Sequence, residues 1–172
     1  LIKNPWEEAT LDAWYASLGR NGALLRMCDR AIATNDFLAE RIIAFSGLPT
    51  GIIPNFLNAE QQAMSSRLFG EKHRSGFLSD GSIHVGYFSG TPTHNRDFAI
   101  AAPALARLLD DDPRVILRIA GFLDLDERLA RHRDRIEFHP LQDFLNLQRL
   151  VAEVEVNIAP LQNNLFTNCK SE

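Results

Sequence analysis

Between residues 84 and 98 the sequence reads HVGYFSGTPTHNRDF. An apolar run gives way to glycine, threonines and a proline, and then to a histidine, an arginine and an aspartate. Those residue types can hold a phosphate. Gly90 lets a backbone approach closely, a helix that follows offers free N–H groups to an anion, and Arg96 can add paired, charge-assisted hydrogen bonds. The same residues also fit a plain turn between a strand and a helix. Ser89 and Thr91 then serve as turn formers, His94 as a capping or surface group, and Asp97 as a favourable charge in the first turn. A second polar stretch, APLQNNLFTNCKSE at 159–172, carries Lys170 and Glu172.

Stretches of this kind need a scaffold, and the chain supplies an alternating one. The spacing of apolar residues predicts a helix over 11–29, broken at Gly19 and Gly22. A short strand follows at 30–35, then a helix at 37–47 capped by Asn35 or Asp36 and ended by Gly47. A strand at 50–55 stops at Pro54, a helix spans 58–72, and 73–82 reads as a Gly- and Ser-rich linker. From there strands at 82–90, 114–121, 135–140 and 155–161 alternate with helices at 96–112, 125–134 and 144–154. Pro103 predicts a kink or a late start in the first of these helices. Strands separated by helices of this length form βαβ units and a parallel sheet, whose ligands bind beyond the carboxyl ends of the strands. Those ends are SGTPTHNRD, GFLD, HPLQD and the stretch from Ala159.

Composition narrows the classes. The 172 residues are 45% hydrophobic and 23% charged, an ordinary globular balance. A formal charge of −4 provides no bulk basic field to draw in nucleic acid. Cys28 and Cys169 share no metal-type spacing and suggest a reducing, cytoplasmic setting. No apolar run approaches the ~20 residues that span a bilayer. Asp110, Asp111 and Asp112 read as a solvated helix end, and Arg131, His132, Arg133 and Arg135 as a solvated basic face. The dinucleotide fingerprint, the Walker A pattern and the G-x-S-x-G elbow are all missing. With no starting Met and no signal-type leader, the sequence reads as an internal piece of a longer protein.

Two ordered stretches carry a resemblance. The first, CDRAIATNDFLAERI followed by GIIPNFLN, resembles the end of the first domain and the crossover of GT-B glycosyltransferases. The second begins with IHVGYFSGTPTHNRDF, continues through ALARLLDDDPRVILRIAG and IEFHPL, and closes on VAEVEVNIAPLQNNLFTNCKSE. It looks like the donor-binding domain of group 1, family 4-like glycosyltransferases, in the branch that builds O-antigen and other bacterial surface polysaccharides. The resemblance implies an α/β, Rossmann-like parallel sheet with flanking helices. Residues 1–57 would close the N-terminal domain, 58–82 would be a linker helix and loop, and 83–172 an incomplete donor domain.

Roles follow from the same resemblance. Gly90 and Thr91 would lie against the donor diphosphate, with His94 lining that pocket and Arg96 neutralising its charge. Gly121, Phe122, His139, Pro140 and Leu141 would border base and ribose. Lys170 would cover phosphate and sugar, Glu172 would be the catalytic carboxylate, and Asn55 would lie near the cleft. The implied reaction moves a sugar from a nucleotide-diphosphate sugar to a saccharide or lipid-linked acceptor, with retention and with neither metal nor cofactor. The piece by itself is expected to be inactive. Peripheral membrane association at the inner face of the plasma membrane would run through parts outside this chain. Gln162, Asn163 and Asn164 stand where relatives place an early carboxylate. That departure keeps a second reading open, a non-catalytic nucleotide- or sugar-binding module of the same fold. An epimerase of this fold ranks third.

Overall fold

The computed structural model describes residues 8–77, 80–91 and 94–170, with side chains from Asp12 onward. The chain divides into two compact units. One comprises the chain up to Phe56 together with the segment from Asn164, and the other is Leu57–Asn163. The segment from Asn164 clusters with the first unit and not with the residues preceding it.

In the first unit, helix α1 (Glu8–Arg26) leads to strand β1 (Ala31–Ala33), helix α2 (Asp36–Ser46) and strand β2 (Thr50–Ile52). The break expected at Gly19 and Gly22 does not occur. Gly22 instead makes room for a neighbour, because a Cβ there would stand 3.0 Å from the Phe45 ring on α2. Arg26 reinforces the same contact from 4.4 Å above that ring. Tertiary packing thus outweighs the glycine's helix-breaking tendency of about 1 kcal/mol. Helix α2 is capped as expected: Asn35 accepts from the Leu38 N–H at 2.8 Å, and Gly47 closes the helix at φ 74°. β1 and β2 pair in parallel, Ala31 opposite Thr50. A 3-10 turn at Thr167–Cys169, which the sequence did not announce, packs near α2, and Asn35 Nδ2 donates to the Lys170 carbonyl at 2.8 Å.

The second unit is built on a four-stranded, all-parallel sheet flanked by helices, an α/β Rossmann-like arrangement. Its elements are α3 (Ala59–Arg74), β3 (Ile83–Ser89), α4 (Asn95–Asp111), β4 (Val115–Gly121), β5 (Ile136–His139), α5 (Phe144–Glu153) and β6 (Val156–Asn157). Register is fixed by pairs such as Val85 with Leu117 and Leu117 with Ile136. Alternation then sends Val85, Tyr87, Val115, Leu117, Ile119 and Ile136 to one face. There they pack on Phe98, Ala102, Leu105 and Leu109 of α4 and on Leu129. Tyr87 and Phe98 bring their rings to 4.7 Å, an aromatic contact that adds to the area buried.

Some expectations about this unit hold and others need correction. The helix expected over 58–72 is present as α3 (Ala59–Arg74). Helix α3 carries an Asn58–Gln61 capping box and lies along α5, where Lys72 Nζ donates to the carbonyls of Ala152 and Val154 at 2.8 and 2.7 Å. Pro103 does not delay α4, which begins eight residues earlier at Asn95. The helix expected at 125–134 is a 3-10 element, Glu127–Arg135, with Leu129 and His132 buried three residues apart. That spacing suits its three-residue turn. The supposed basic face is partly internal, since His132 is buried between Asp110 and Arg135, and Arg135 donates to the Asp112 carbonyl at 3.1 Å. β6 is only two residues long, because Pro160 has no N–H with which to extend the ladder.

Candidate functional site

Strand β3 ends at the buried Ser89, whose Oγ donates to the Thr91 carbonyl at 3.1 Å. Pro92 and Thr93 lie outside the described residues. The His94 N–H reaches back to the Thr91 carbonyl at 3.3 Å, and α4 opens at Asn95. Gly90 is exposed, and a Cβ built there meets nothing within 4 Å. Internal packing therefore does not require a glycine at 90. Gly121, at the end of β4, is different. Its φ of 93° and the Ser89 carbonyl, 1.8 Å from where a Cβ would stand, make a side chain incompatible with the backbone. The next residue, Phe122, donates its N–H to that same carbonyl at 3.1 Å and leaves its ring half-exposed.

Three of the expected residues meet. Gly90, Gly121 and Leu141 line one cavity of about 60 Å³ with Ser89 and Leu147. That volume holds a few waters and is too small for a base, so it is a dimple in the rim. Pro140 is exposed beside it, and its carbonyl accepts from Gln142 Nε2 at 2.7 Å. His139 belongs to the other face of the sheet, 3.9 Å from the Glu137 carboxylate. Arg96 is exposed in the first turn of α4 and makes no hydrogen bond or ion pair among the described residues.

The order β5-β4-β3-β6 places the reversal of strand order between β3 and β6. In sheets of this type the crevice beyond the strand ends opens at such a reversal. The loops on either side of it are tied by a group given no firm role from sequence. Asp97, 5% exposed, accepts from the Gln162 backbone N–H at 3.0 Å through one oxygen and faces His94 Nδ1 at 3.2 Å through the other. Burial pushes the neighbouring Tyr87 phenol up, and the Asp97 carboxylate adds to that, against a hydrogen bond with Ser89. A second tie joins the loops after β3 and β4: Asn95 Nδ2 donates to Asp124 at 2.6 Å, and the Asp124 N–H returns to Asn95 Oδ1 at 3.1 Å. Neither tie carries a local signal, because the partners lie 65 and 29 residues apart.

Two of the remaining expected residues belong to the first unit. Lys170 belongs to the first unit, with Nζ 5.5 Å from the Phe166 ring centroid. Asn55 sits in the exposed loop after β2. Glu172 lies outside the described residues. Among the described residues, no helix is long and apolar enough to cross a membrane.

The fold and its rim thus define a class, a Rossmann-like α/β unit with a glycine-lined margin at the carboxyl ends of its strands. No protein-family model matches the chain, and no curated protein matches it.

Proposed function

We propose that the chain supplies the nucleotide-sugar side of a glycosyltransferase of the GT-B kind, acting in bacterial surface-polysaccharide synthesis. The observation that carries this reading is the convergence of Gly90, Gly121 and Leu141 on one rim, with an exposed Arg96 in the first turn of the helix that follows β3 and no hydrogen bond or ion pair to it among the described residues. Gly90 has open space where a side chain would stand, so its missing Cβ is available to a ligand and not consumed by packing.

The chemistry follows from charge. Transfer of the sugar leaves a nucleoside diphosphate, and negative charge grows on its phosphates in the transition state. The positive end of the α4 dipole and the Arg96 guanidinium meet that charge without reorganising. Because the dimple between Gly90 and Leu141 is too small for a base, the nucleotide lies along the rim, with Phe122 and Leu141 offering exposed apolar surface.

Titration calorimetry with UDP-, GDP- and dTDP-sugars tests the reading. One of them binds the full chain, and Arg96→Ala weakens it about tenfold or more, the worth of a charge-assisted hydrogen bond. Gly90→Ala leaves the unfolding midpoint in place and lowers affinity. Binding that survives both substitutions undiminished sinks the assignment of this rim to the diphosphate. A folded chain that binds none of the three sinks the function.

A further inference from the structure

We infer that Asp97 is a positioning residue. Its carboxylate couples the loops after β3 and β6 and fixes His94 in the tautomer that leaves Nε2 free to accept from a ligand hydroxyl. The geometry is specific. The two oxygens of Asp97 are divided between the Gln162 N–H, 3.0 Å away, and His94 Nδ1, 3.2 Å away. An ionised carboxylate only accepts, so Nδ1 of a neutral His94 carries the proton. Nε2 is then the unprotonated nitrogen, and among the described residues it has no partner. The ring is not sealed away, with a side-chain exposure of 32% against 7% for Asp97.

This division of labour resembles the way a buried carboxylate orients a histidine whose other nitrogen does the work. The consequence for recognition is chemical. A neutral imidazole with Nε2 unprotonated accepts from an O–H and offers nothing to a phosphate oxygen, which needs a donor. The inference rests on the reading above in placing the ligand at this rim, and it assigns His94 to a sugar or ribose hydroxyl instead of the diphosphate. Asp97 also competes with any phosphate for the N-terminal end of α4, which puts the anion nearer to Arg96.

Asp97→Asn separates the parts. The carboxamide keeps an oxygen for the Gln162 N–H, so the loops stay tied, but its NH2 now donates to His94 Nδ1 and forces the proton to Nε2. Long-range proton–nitrogen spectra of the 15N-labelled full chain read this directly at mildly alkaline pH, where an ordinary imidazole is neutral. The His94 signal is identified by its loss in His94→Ala. The wild-type chain shows Nδ1–H and Asp97→Asn shows Nε2–H. A wild-type Nε2–H form, or the same tautomer in both, overturns the proposal. The wild-type spectrum alone decides if the variant does not fold.

Affinity supplies the second readout, using whichever of UDP-glucose, GDP-mannose or dTDP-rhamnose binds, together with its bare nucleoside diphosphate. Asp97→Asn and His94→Ala each weaken the nucleotide sugar about 5- to 10-fold, one hydrogen bond's worth, and the double variant weakens it no further. A loss confined to the nucleotide sugar assigns the hydroxyl to the sugar, and an equal loss with the bare nucleotide assigns it to the ribose. Unchanged affinity in Asp97→Asn overturns the role. A wild-type chain that binds no nucleotide sugar sinks the function proposed above, while the coupling of Asp97 to His94 still stands or falls on the spectra.

Discussion

The two faces of the β3–β4–β5 sheet are made from the same strands and have opposite characters. On the α4 face, Val85, Tyr87, Leu117, Ile119 and Ile136 are buried against apolar side chains. On the α5 face, the alternate positions include His84, Gly86, Arg118, Glu137 and His139. Arg118 pairs with Glu137 at 2.7 Å and with Glu153 of α5 at 3.0 Å, while His84 faces Glu155 at 3.2 Å. Gly86 lets α5's end come close, since a Cβ there would stand 2.9 Å from Val154. The difference teaches where stability is held. Apolar area removed from water contributes about 25 cal/mol per Å², whereas ion pairs whose carboxylates stay partly solvated contribute about 0–1 kcal/mol each. One face holds the unit together, and the other sets orientation.

Substitutions can break that contrast in order of size. Leu117→Ala empties a position that is 1% exposed and should lower unfolding free energy by about 2–5 kcal/mol in denaturant titrations. A loss below about 1 kcal/mol would show that the α4 face is not the stabilising one. Arg118→Met, on the opposite side of the same strand, should cost about 1 kcal/mol or less, because Glu137 and Glu153 stay solvated when their partner goes. A cost matching that of Leu117→Ala would erase the distinction between the faces.

The smallest effect belongs to an exposed pair at the edge of the same strand. Side-chain and backbone hydrogen bonds from Arg114 hold the Asp112 carboxyl at about 2, below its ordinary 3.8. The folded value is the lower one, so the pair's contribution is present above 3.8 and is lost as pH falls through about 2. Arg114→Ala should return the Asp112 titration, followed by carboxyl NMR, towards the ordinary value. A titration that does not move would remove Arg114 as the cause.

Much of the scaffold was legible in the residues. Asn35 and Gly47 announced the ends of α2, and the alternation of apolar runs announced a parallel sheet, because caps and periodicity are local properties. The break expected at Gly22 failed because the deciding partner, Phe45, lies 23 positions away on α2. At the rim, Gly90, Gly121 and Leu141 were picked out from three separate strand ends, and the order of the strands brought them to one dimple. Asp97 was read as either a helix-start charge or a ligand, with no partner in view. Its partner at Gln162 comes from the far side of the strand-order reversal, which no local spacing encodes.

The sequence by itself therefore determined the kinds of element, their polarity along the chain and the residue types that gather at the strand ends. Only the tertiary structure decided which glycine serves the backbone and which stands open. It also decided which face of the sheet is dry and which carboxylate holds the histidine. Those outcomes depend on distances between residues far apart in the chain, set by how the strands order themselves in the sheet. Gly90 and Gly121 are the same residue in the sequence, and only the Ser89 carbonyl beside one of them makes them different.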